Sequence, residues 1–365
     1  MLTTAPRGTK DIMPSDVNAW RYLEETMRKI CAQYGYKEIR TPVFEHTELF
    51  QRGIGDTTDV VEKEMYTFTD RGNRSITLRP ENTASAVRAY VEHKLSKDDA
   101  ATKFYYIGPM FRYDRPQAGR LREFHQFGVE ALGVTGPNVD AEIILLAVQV
   151  LQSLGLKDLK LKINSVGCPK CRPQHREKLQ AFFKPNFDEL CKDCQGRFDR
   201  NPLRLLDCKN PHCHELGEGA PSLEECLCDE CKEHFEGLKQ LLTAAGVEYE
   251  VDHNLVRGLD YYQKLLLKSS TLRWAHKALF AAAAVMTDWY RKSVVTKPAP
   301  VSALLWVWSA YCWLWKSRIC CLNLMKALTL MLSALSRKTL RWPSKPPSSC
   351  VATALRLNTT LTAAA

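Results

Sequence analysis

The spacing of apolar residues near the start of the chain predicts a helix. Apolar side chains recur every three or four positions over residues 17–34, with Ser15 as a candidate N-cap and Gly35 as the stop. Two later segments, residues 83–95 and 138–155, also have helical periodicity.

Strand-like segments alternate with these helices. They cover residues 37–45, a run ending near Arg79, two strands within 103–133 around a turn at 116–119, residues 159–167, and one or two strands within 246–262. Hairpin-joined strands with helices to one side predict an α+β domain built on an antiparallel sheet.

Residues 168–235 break this alternation. The segment has few apolar runs and contains nine of the 14 cysteines, so it is predicted to be a Cys-rich insertion. Several of these cysteines form CxxC pairs, a spacing that is typical of metal ligands.

The composition changes abruptly after Lys264. Residues 1–264 contain 37 Lys+Arg and 40 Asp+Glu, a net charge of −3, whereas residues 265–365 contain 14 basic residues and one acid, a net charge of +13. All 18 Gly lie before residue 265, and seven of the eight Trp lie after it. Residues 1–264 and 265–365 therefore differ too much in composition to be parts of one ordinary globular domain.

This distribution limits the class of protein. The positive charge belongs to the last 101 residues, so it is not a nucleic-acid footprint of the main body. The N-terminus has no apolar signal-peptide core, and the apolar run at 303–315 is too short to span a bilayer. We expect a cytoplasmic protein with no membrane partner, whose cysteines are thiols or metal ligands.

Charged residues form three clusters at the predicted strands. They are Glu81 and Thr83; then Arg112, Arg120, Arg122, Gln126 and Glu130; then Arg257, Tyr261 and Tyr262. Arginine binds phosphate and stabilises charge that develops in nucleotidyl transfer, and a carboxylate accepts from an ammonium or a ring N–H. The alternative for any single cluster is a set of ion pairs on a solvated sheet face.

Ordered motifs resemble those of class II aminoacyl-tRNA synthetases, and within that class the bacterial histidyl-tRNA synthetases. They are PRGTKDIMP, GYKEIRTPVFE (motif 1), TLRPENT, MFRYDRPQAGRLREFHQFGVE (motif 2) and LVRGLDYY. The resemblance covers residues 6–264, and it implies a catalytic domain of that fold.

The resemblance implies a histidine-binding set, made of Glu81, Asn82, Thr83, Gln126, Glu130, Tyr261 and Tyr262. In it Glu81, Thr83 and Gln126 would hold the α-ammonium group. Glu130 would accept from one imidazole nitrogen, and the tyrosine pair would close on the other side.

The resemblance also implies the ATP-binding residues and the reaction. Arg112 would grip the α-phosphate, Arg120 would lie near the phosphates, and Arg257 would stabilise charge between the attacking carboxylate and the α-phosphate. L-histidine and ATP, with Mg²⁺, would form histidyl-adenylate, and the histidyl group would pass to tRNA(His). The resemblance further implies a homodimer, with the proline of motif 1, Pro42, at the dimer interface.

A structural zinc site is predicted in the insertion. The pairs Cys168/Cys171 and Cys191/Cys194 could form one tetrahedral site, with Cys208, Cys213, His212 and His214 as spare ligands. The alternative is a small subdomain of reduced thiols, since catalysis in this family needs no zinc.

Two other functions are considered. One is a non-catalytic relative of the synthetases that serves as the regulatory subunit of ATP phosphoribosyltransferase, although here the first two clusters and RGLDYY are intact. The other is a zinc-dependent RNA-binding module, which explains the cysteines but not the ordered motifs.

The sequence departs from the family after Lys264. The Gly-rich histidine loop, motif 3 with its ATP-stacking arginine, and the anticodon-binding domain are not readable in residues 265–365. We therefore predict that 1–264 is a truncated catalytic domain and that 265–365 is an out-of-frame tail without a recognisable fold, which leaves the activity of this chain in doubt.

Codon arithmetic explains how such a tail would arise. With permitted codons, residues 271–290 read one base earlier give YAPLGAQSAVCGGGRYDGLV, and residues 299–310 give RTGVGFAMGLER. These resemble the Gly-rich loop and motif 3, in the family's order. Loss of one A from AAA ACT GCT would convert Lys-Thr-Ala into the observed Lys-Leu-Leu.

Overall fold

The computed structural model describes residues 3–54, 60–95, 101–116, 120–134, 136–156, 159–256, 263–271, 282–285 and 301–307. All of these belong to the first of two units, Met1–Trp313. The strands are β1 (Lys37–Glu38), β2 (Phe44–His46), β3 (Tyr66–Thr69), β4 (Ser75–Leu78), β5 (Thr102–Phe111), β6 (Glu123–Leu132), β7 (Leu159–Gly167), β8 (Glu250–Val251), β9 (Gln263–Thr271), β10 (Ala282–Val285) and β11 (Val301–Val307).

The α-helices are α1 (Pro14–Gln33), α2 (Thr47–Ile54), α3 (Thr83–Glu92), α4 (Pro137–Ser153), α5 (Arg172–Phe183), α6 (Lys192–Phe198), α7 (Pro211–Leu216) and α8 (Asp229–Ala244). Short 3₁₀ turns cover Lys184–Glu189, Pro202–Leu205 and Leu223–Cys226, and a π-helical segment covers Val60–Glu64. No helix in the described part of the chain is long and apolar enough to cross a membrane.

Helix α1 forms where the apolar spacing predicted it. Its buried stripe includes Leu23, Met27 and Ile30, and Gly35 follows with a φ of 76°. The predicted cap is wrong, because Ser15 lies inside the first turn. Pro14 begins the helix instead, at a position where its missing N–H would have no helical partner.

The main sheet has eight strands in the order β1-β5-β6-β11-β10-β9-β7-β8, and a smaller sheet has the order β2-β4-β3. Among the described strands, pairing in the main sheet is parallel only at its two outer pairs, β1 with β5 and β7 with β8. The long β5–β6 hairpin is antiparallel, and α4 contacts both α1 and α8. The predicted α+β class and antiparallel sheet are confirmed.

The described residues after Lys264 contribute to three strands of the main sheet. Strand β9 pairs with β7, β11 pairs with β6, and β10 lies between β9 and β11. The described residues after Lys264 therefore take part in the main sheet, although the sequence predicted a tail without a recognisable fold. Only one predicted strand within 246–262 is described, and it is short, Glu250–Val251.

The insertion has a small core of its own. Leu179, Phe183 and Leu205 pack there with Val256, the residue that precedes Arg257 in the LVRGLDYY motif. The predicted boundary at residue 235 falls inside α8, which begins at Asp229 and continues to Ala244. Buried apolar packing therefore joins the insertion to one of the predicted catalytic segments.

Candidate active site

Strand β6 carries the centre of the candidate site. Gln126, Gly128 and Glu130 alternate along it, so they share one face of the sheet, and the Gln126 and Glu130 side chains are fully buried. Glu130 Oε1 accepts hydrogen bonds from Thr83 Oγ1 at 2.8 Å and from Tyr106 Oη at 3.2 Å. Two of the three predicted clusters contribute to this contact.

Gly128 makes room for Tyr106. The two residues are opposite each other in the β5–β6 register, and a Cβ atom on Gly128 would lie 2.3 Å from Tyr106 Oη. The ring therefore crosses β6 at the one position without a side chain and reaches Glu130. Sequence reasoning missed Tyr106, because only the pairing register brings it to the site.

We expect Gly128→Ala to displace Tyr106 and to lower the free energy of unfolding by about 1–3 kcal/mol, the usual cost of overpacking a core. Urea unfolding of both proteins measures the difference. Gly196→Ala is the matched control, because its Cβ would find only Arg200 Nη2 at 3.8 Å, on helix α6. Equal stabilities of Gly128→Ala and the parent would show that the Tyr106 ring has other room.

Glu81 lies at the start of α3. Its two carboxylate oxygens accept from the backbone N–H groups of Thr83, at 2.7 Å, and of Ala84, at 3.0 Å. The carboxylate thus caps the helix and faces its positive end, a favourable place for an anion. This fixes Glu81 beside Glu130, the acid it was predicted to work with.

The two buried acids perturb each other. Burial raises the pKa of Glu130 well above its ordinary value and the Glu81 charge raises it further, although hydrogen bonds from Thr83 and Tyr106 oppose this. Burial also raises the pKa of Glu81, against the helix N–H groups and Arg112. Two acids that resist ionisation together favour a ligand that brings positive charge or N–H donors.

Several polar atoms of the site lack partners. Within the described part of the chain, Glu130 Oε2 and both Gln126 amide atoms are buried with no hydrogen-bond partner. Buried polar groups are nearly always paired, so unpaired ones are candidates for ligand contacts. The unpaired Gln126 amide lies on the same face of β6 as Glu130, the acid that favours a cationic ligand.

The side chain of Asn82 makes hydrogen bonds to different segments from those that Glu81 contacts. Its Oδ1 accepts from Thr41 Oγ1 at 2.6 Å and from Arg79 Nη1 at 3.3 Å, whereas its buried Nδ2 has no partner among the described residues. The amide oxygen of Asn82 is therefore hydrogen-bonded to Thr41 of the motif 1 segment.

Arg79 is a second residue that sequence reasoning missed. The buried guanidinium donates to the carbonyls of Pro109, at 2.9 Å, and of Thr41, at 3.0 Å. Burial lowers its pKa, although the charges of Tyr106 and Glu45 oppose this. Arg79 ties motif 1, the TLRPENT segment and β5 together, which makes it a positioning residue.

The predicted ATP-binding arginines occupy two different environments. Arg112 is half-buried just past β5, and its Nε donates to Pro80 O at 2.8 Å. Arg120 is exposed and pairs with Asp114 at 3.1 Å. Arg112 is thus fixed next to Glu81, while Arg120 lies at the open end of the hairpin.

The third predicted cluster is not described. Arg257, Tyr261 and Tyr262 lie outside the described residues, as does the hairpin turn at 117–119. Leu255 and Val256, which lead into this cluster, are both buried.

The cysteines group differently from the sequence prediction. Instead of Cys168, Cys171, Cys191 and Cys194 forming one site, the structure forms two groups of four. The junction cluster is Cys168, Cys171, Cys228 and Cys231; the inner cluster is Cys191, Cys194, Cys208 and Cys213. Chain order misled the prediction, because the first CxxC pair meets the pair that ends the insertion.

The histidines proposed as spare ligands belong to neither group. His212 instead pairs with Glu189 at 3.3 Å, on the exposed side of the insertion. Burial raises the pKa of the Cys168 thiol, but the backbone N–H groups of Cys171 and Lys170 outweigh it and bring that pKa to about 7.

Comparison with known proteins identifies the family. The profile of the histidyl-tRNA synthetase family matches residues 8–170. The crystal structure of apo S. aureus histidyl-tRNA synthetase superposes with a TM-score of 0.69 and 37% identity, over 86% of this chain and 73% of that one. The chain belongs to the histidyl-tRNA synthetase family.

The sequence match to a curated relative covers only part of both chains. The histidine–tRNA ligase of Desulforamulus reducens is 60% identical over 271 residues, which is 74% of this chain and 65% of that protein. The chain therefore spans less than two thirds of this curated relative.

A second solved structure shares the fold alone. An ATP phosphoribosyltransferase regulatory subunit/histidyl-tRNA synthetase from Bacillus halodurans superposes with a TM-score of 0.62 at 19% identity, over 84% of this chain and 81% of that one. At 19% identity, this similarity shows a shared fold and nothing about activity.

Proposed function

We propose that this chain is a histidine–tRNA ligase by descent, in which Glu130, Gln126 and Glu81 form the amino-acid pocket. The observation that carries the proposal is the fully buried Glu130 carboxylate, with one oxygen held by Thr83 and Tyr106 and the other unpartnered among the described residues. An imidazole N–H is a donor that matches the open oxygen.

The acids of the proposed pocket match both groups of histidine that can carry positive charge, the α-ammonium group and the imidazole ring. Gln126 and Glu81 would receive the α-ammonium, as the family resemblance implies, and Thr83 would position Glu130 through its 2.8 Å hydrogen bond. A wrong amino acid would leave these buried groups unpaired, which is a severe penalty. Tyr261 and Tyr262 are proposed to complete the pocket.

ATP, bound with Mg²⁺, is the proposed second substrate. Arg112 lies close enough to Glu81 for its charge to oppose the rise in that acid's pKa, so a histidine carboxylate and an α-phosphate could meet between the two clusters. Arg112 and Arg257 would stabilise the charge that develops as pyrophosphate leaves, and Arg120 would approach the outer phosphates. The reaction depends on positioning and charge neutralisation, since no proton transfer is required.

A cytoplasmic homodimer acting on tRNA(His) is proposed as the working form. Phe44 and Phe68, in the small sheet that includes motif 1, are 56% and 49% exposed. Large exposed apolar side chains on the two outer strands of this sheet, on either side of β4, favour a protein interface. The regulatory-subunit alternative has no specific observation in its favour, because the first two clusters and RGLDYY are intact in the sequence.

Histidine-dependent exchange of pyrophosphate into ATP tests the proposal, with the other amino acids as a panel. Exchange with histidine alone is expected for an active site of this kind. Histidine binding without exchange would indicate that the pocket is formed but that catalysis needs the segments absent after Lys264. A protein that neither binds histidine nor exchanges would contradict the proposal.

A further inference from the structure

The two cysteine clusters play no part in the proposed reaction, but each has the form of a metal site. In both the junction cluster and the inner cluster, the four Sγ atoms lie within 4.8 Å of one another. Each cluster contains two buried and two half-buried cysteines. The insertion thus contains the same four-cysteine arrangement twice.

The sulfur–sulfur distances fit one tetrahedral ion per cluster. Zinc–thiolate bonds of about 2.3 Å place the sulfurs of a tetrahedron about 3.8 Å apart. Cys168 Sγ lies 3.6 Å from Cys171 Sγ and 3.8 Å from Cys228 Sγ, and Cys191 Sγ lies 3.9 Å from Cys208 Sγ. Disulfide sulfurs would be only about 2.05 Å apart.

Backbone N–H groups point at the sulfurs. Cys171 Sγ accepts from Cys228 N at 3.1 Å, and Cys168 Sγ from Lys170 N at 3.4 Å. In the inner cluster, Cys213 Sγ accepts from Cys191 N at 3.2 Å. Such donors stabilise thiolates and orient them, as the surroundings of metal ligands do. An all-thiolate tetrahedron selects zinc over oxygen-preferring ions.

We propose that the junction cluster and the inner cluster each hold one structural zinc ion, so that the chain carries two. The inference is independent of the proposed function.

Each ion has a distinct place in the fold. The junction cluster joins Cys168, directly after β7, to Cys228, 60 residues later at the start of α8, so it closes the insertion where the chain leaves and re-enters the catalytic domain. The inner cluster shares Cys194 and Cys213 with the small core that contains Val256. A segment with so small a core needs such cross-links.

Metal analysis of the full chain, purified without chelator, tests the inference. We expect about two zinc ions per chain, the number that two closed Cys₄ sites would hold. Cys231→Ser should remove the junction ion and Cys194→Ser the inner ion, each leaving about one, and the double variant should retain none. Cys226→Ala is the matched control and should keep both ions, because Cys226 is buried in the same insertion but outside both clusters.

A second measurement uses the parent chain alone, so its result does not depend on whether the cysteine variants fold. Cadmium-113 exchanged into the parent chain should give two resonances in the range of all-thiolate sites, and a mercurial should release one ion for about every four thiols titrated. Less than half an ion per chain with freely reactive cysteines, iron in place of zinc, or a single cadmium resonance would overturn the two-zinc assignment.

Discussion

Adding one A to the run at codon 264 is expected to convert this chain into an active synthetase of full family length. With permitted codons, the shifted reading supplies GGGRYDG and GFAMGLER, which resemble the Gly-rich loop and motif 3. Each lost group that stabilises transition-state charge costs about 10²–10³ in rate, so histidine-dependent exchange should rise by at least about 10²-fold.

The sheet register adds support to this proposal. Strands β10 and β11, at 282–285 and 301–307, fall within the two segments whose shifted readings resemble family motifs. Ala303 and Val307 stand opposite Glu130 and Gln126, and the shifted reading would place glycine at both positions.

Nucleotide sequencing around codon 264 comes first, followed by exchange assays of the one-base insertion and of the parent. Adding three bases at the same point is the matched control, because it lengthens the chain by one residue and keeps the tail. If one added base does not open a frame through both motifs, the frameshift proposal is wrong and residues 265–365 need another explanation.

Glu130→Gln is expected to weaken histidine binding by about 2–4 kcal/mol, because a buried charged acceptor is replaced by a neutral group that can present N–H to an N–H. This corresponds to an increase in Kd of roughly 30- to 1000-fold. Isothermal titration with histidine measures the effect. Glu92→Gln is the control, since Glu92 is 59% exposed in its pair with Arg88. Unchanged affinity would remove Glu130 from the pocket.

The same variant should have an opposite effect on the stability of the ligand-free protein. The folded-state pKa of Glu130 is raised above its ordinary 4.5, so the folded protein holds a proton that the unfolded chain has released. Stability from this group is complete below the unfolded pKa and falls as pH rises toward the folded pKa.

Glutamine does not titrate, so Glu130→Gln should gain stability relative to the parent as pH rises above about 5. Urea unfolding at several pH values without histidine measures this difference. A constant difference across pH would show that Glu130 ionises normally in the folded protein. A variant that gains stability while losing affinity would indicate that the acid is kept for its ligand.

The sequence by itself determined the fold class, the order of the motifs and the break after Lys264. Helical periodicity predicted α1, α3 and α4, and the strand-like pattern within 103–133 predicted the hairpin that carries Gln126 and Glu130. These features depend on local spacing, and spacing along the chain is what a sequence records directly.

Only the tertiary structure decided which distant residues meet. Tyr106 reaches Glu130 because of the β5–β6 register, and Arg79 ties three segments together through backbone carbonyls. Cys168 joins Cys228 across 60 residues, whereas chain order had paired the first two CxxC motifs. Contacts of this kind depend on how strands and turns bring separate segments together, and no local pattern encodes that.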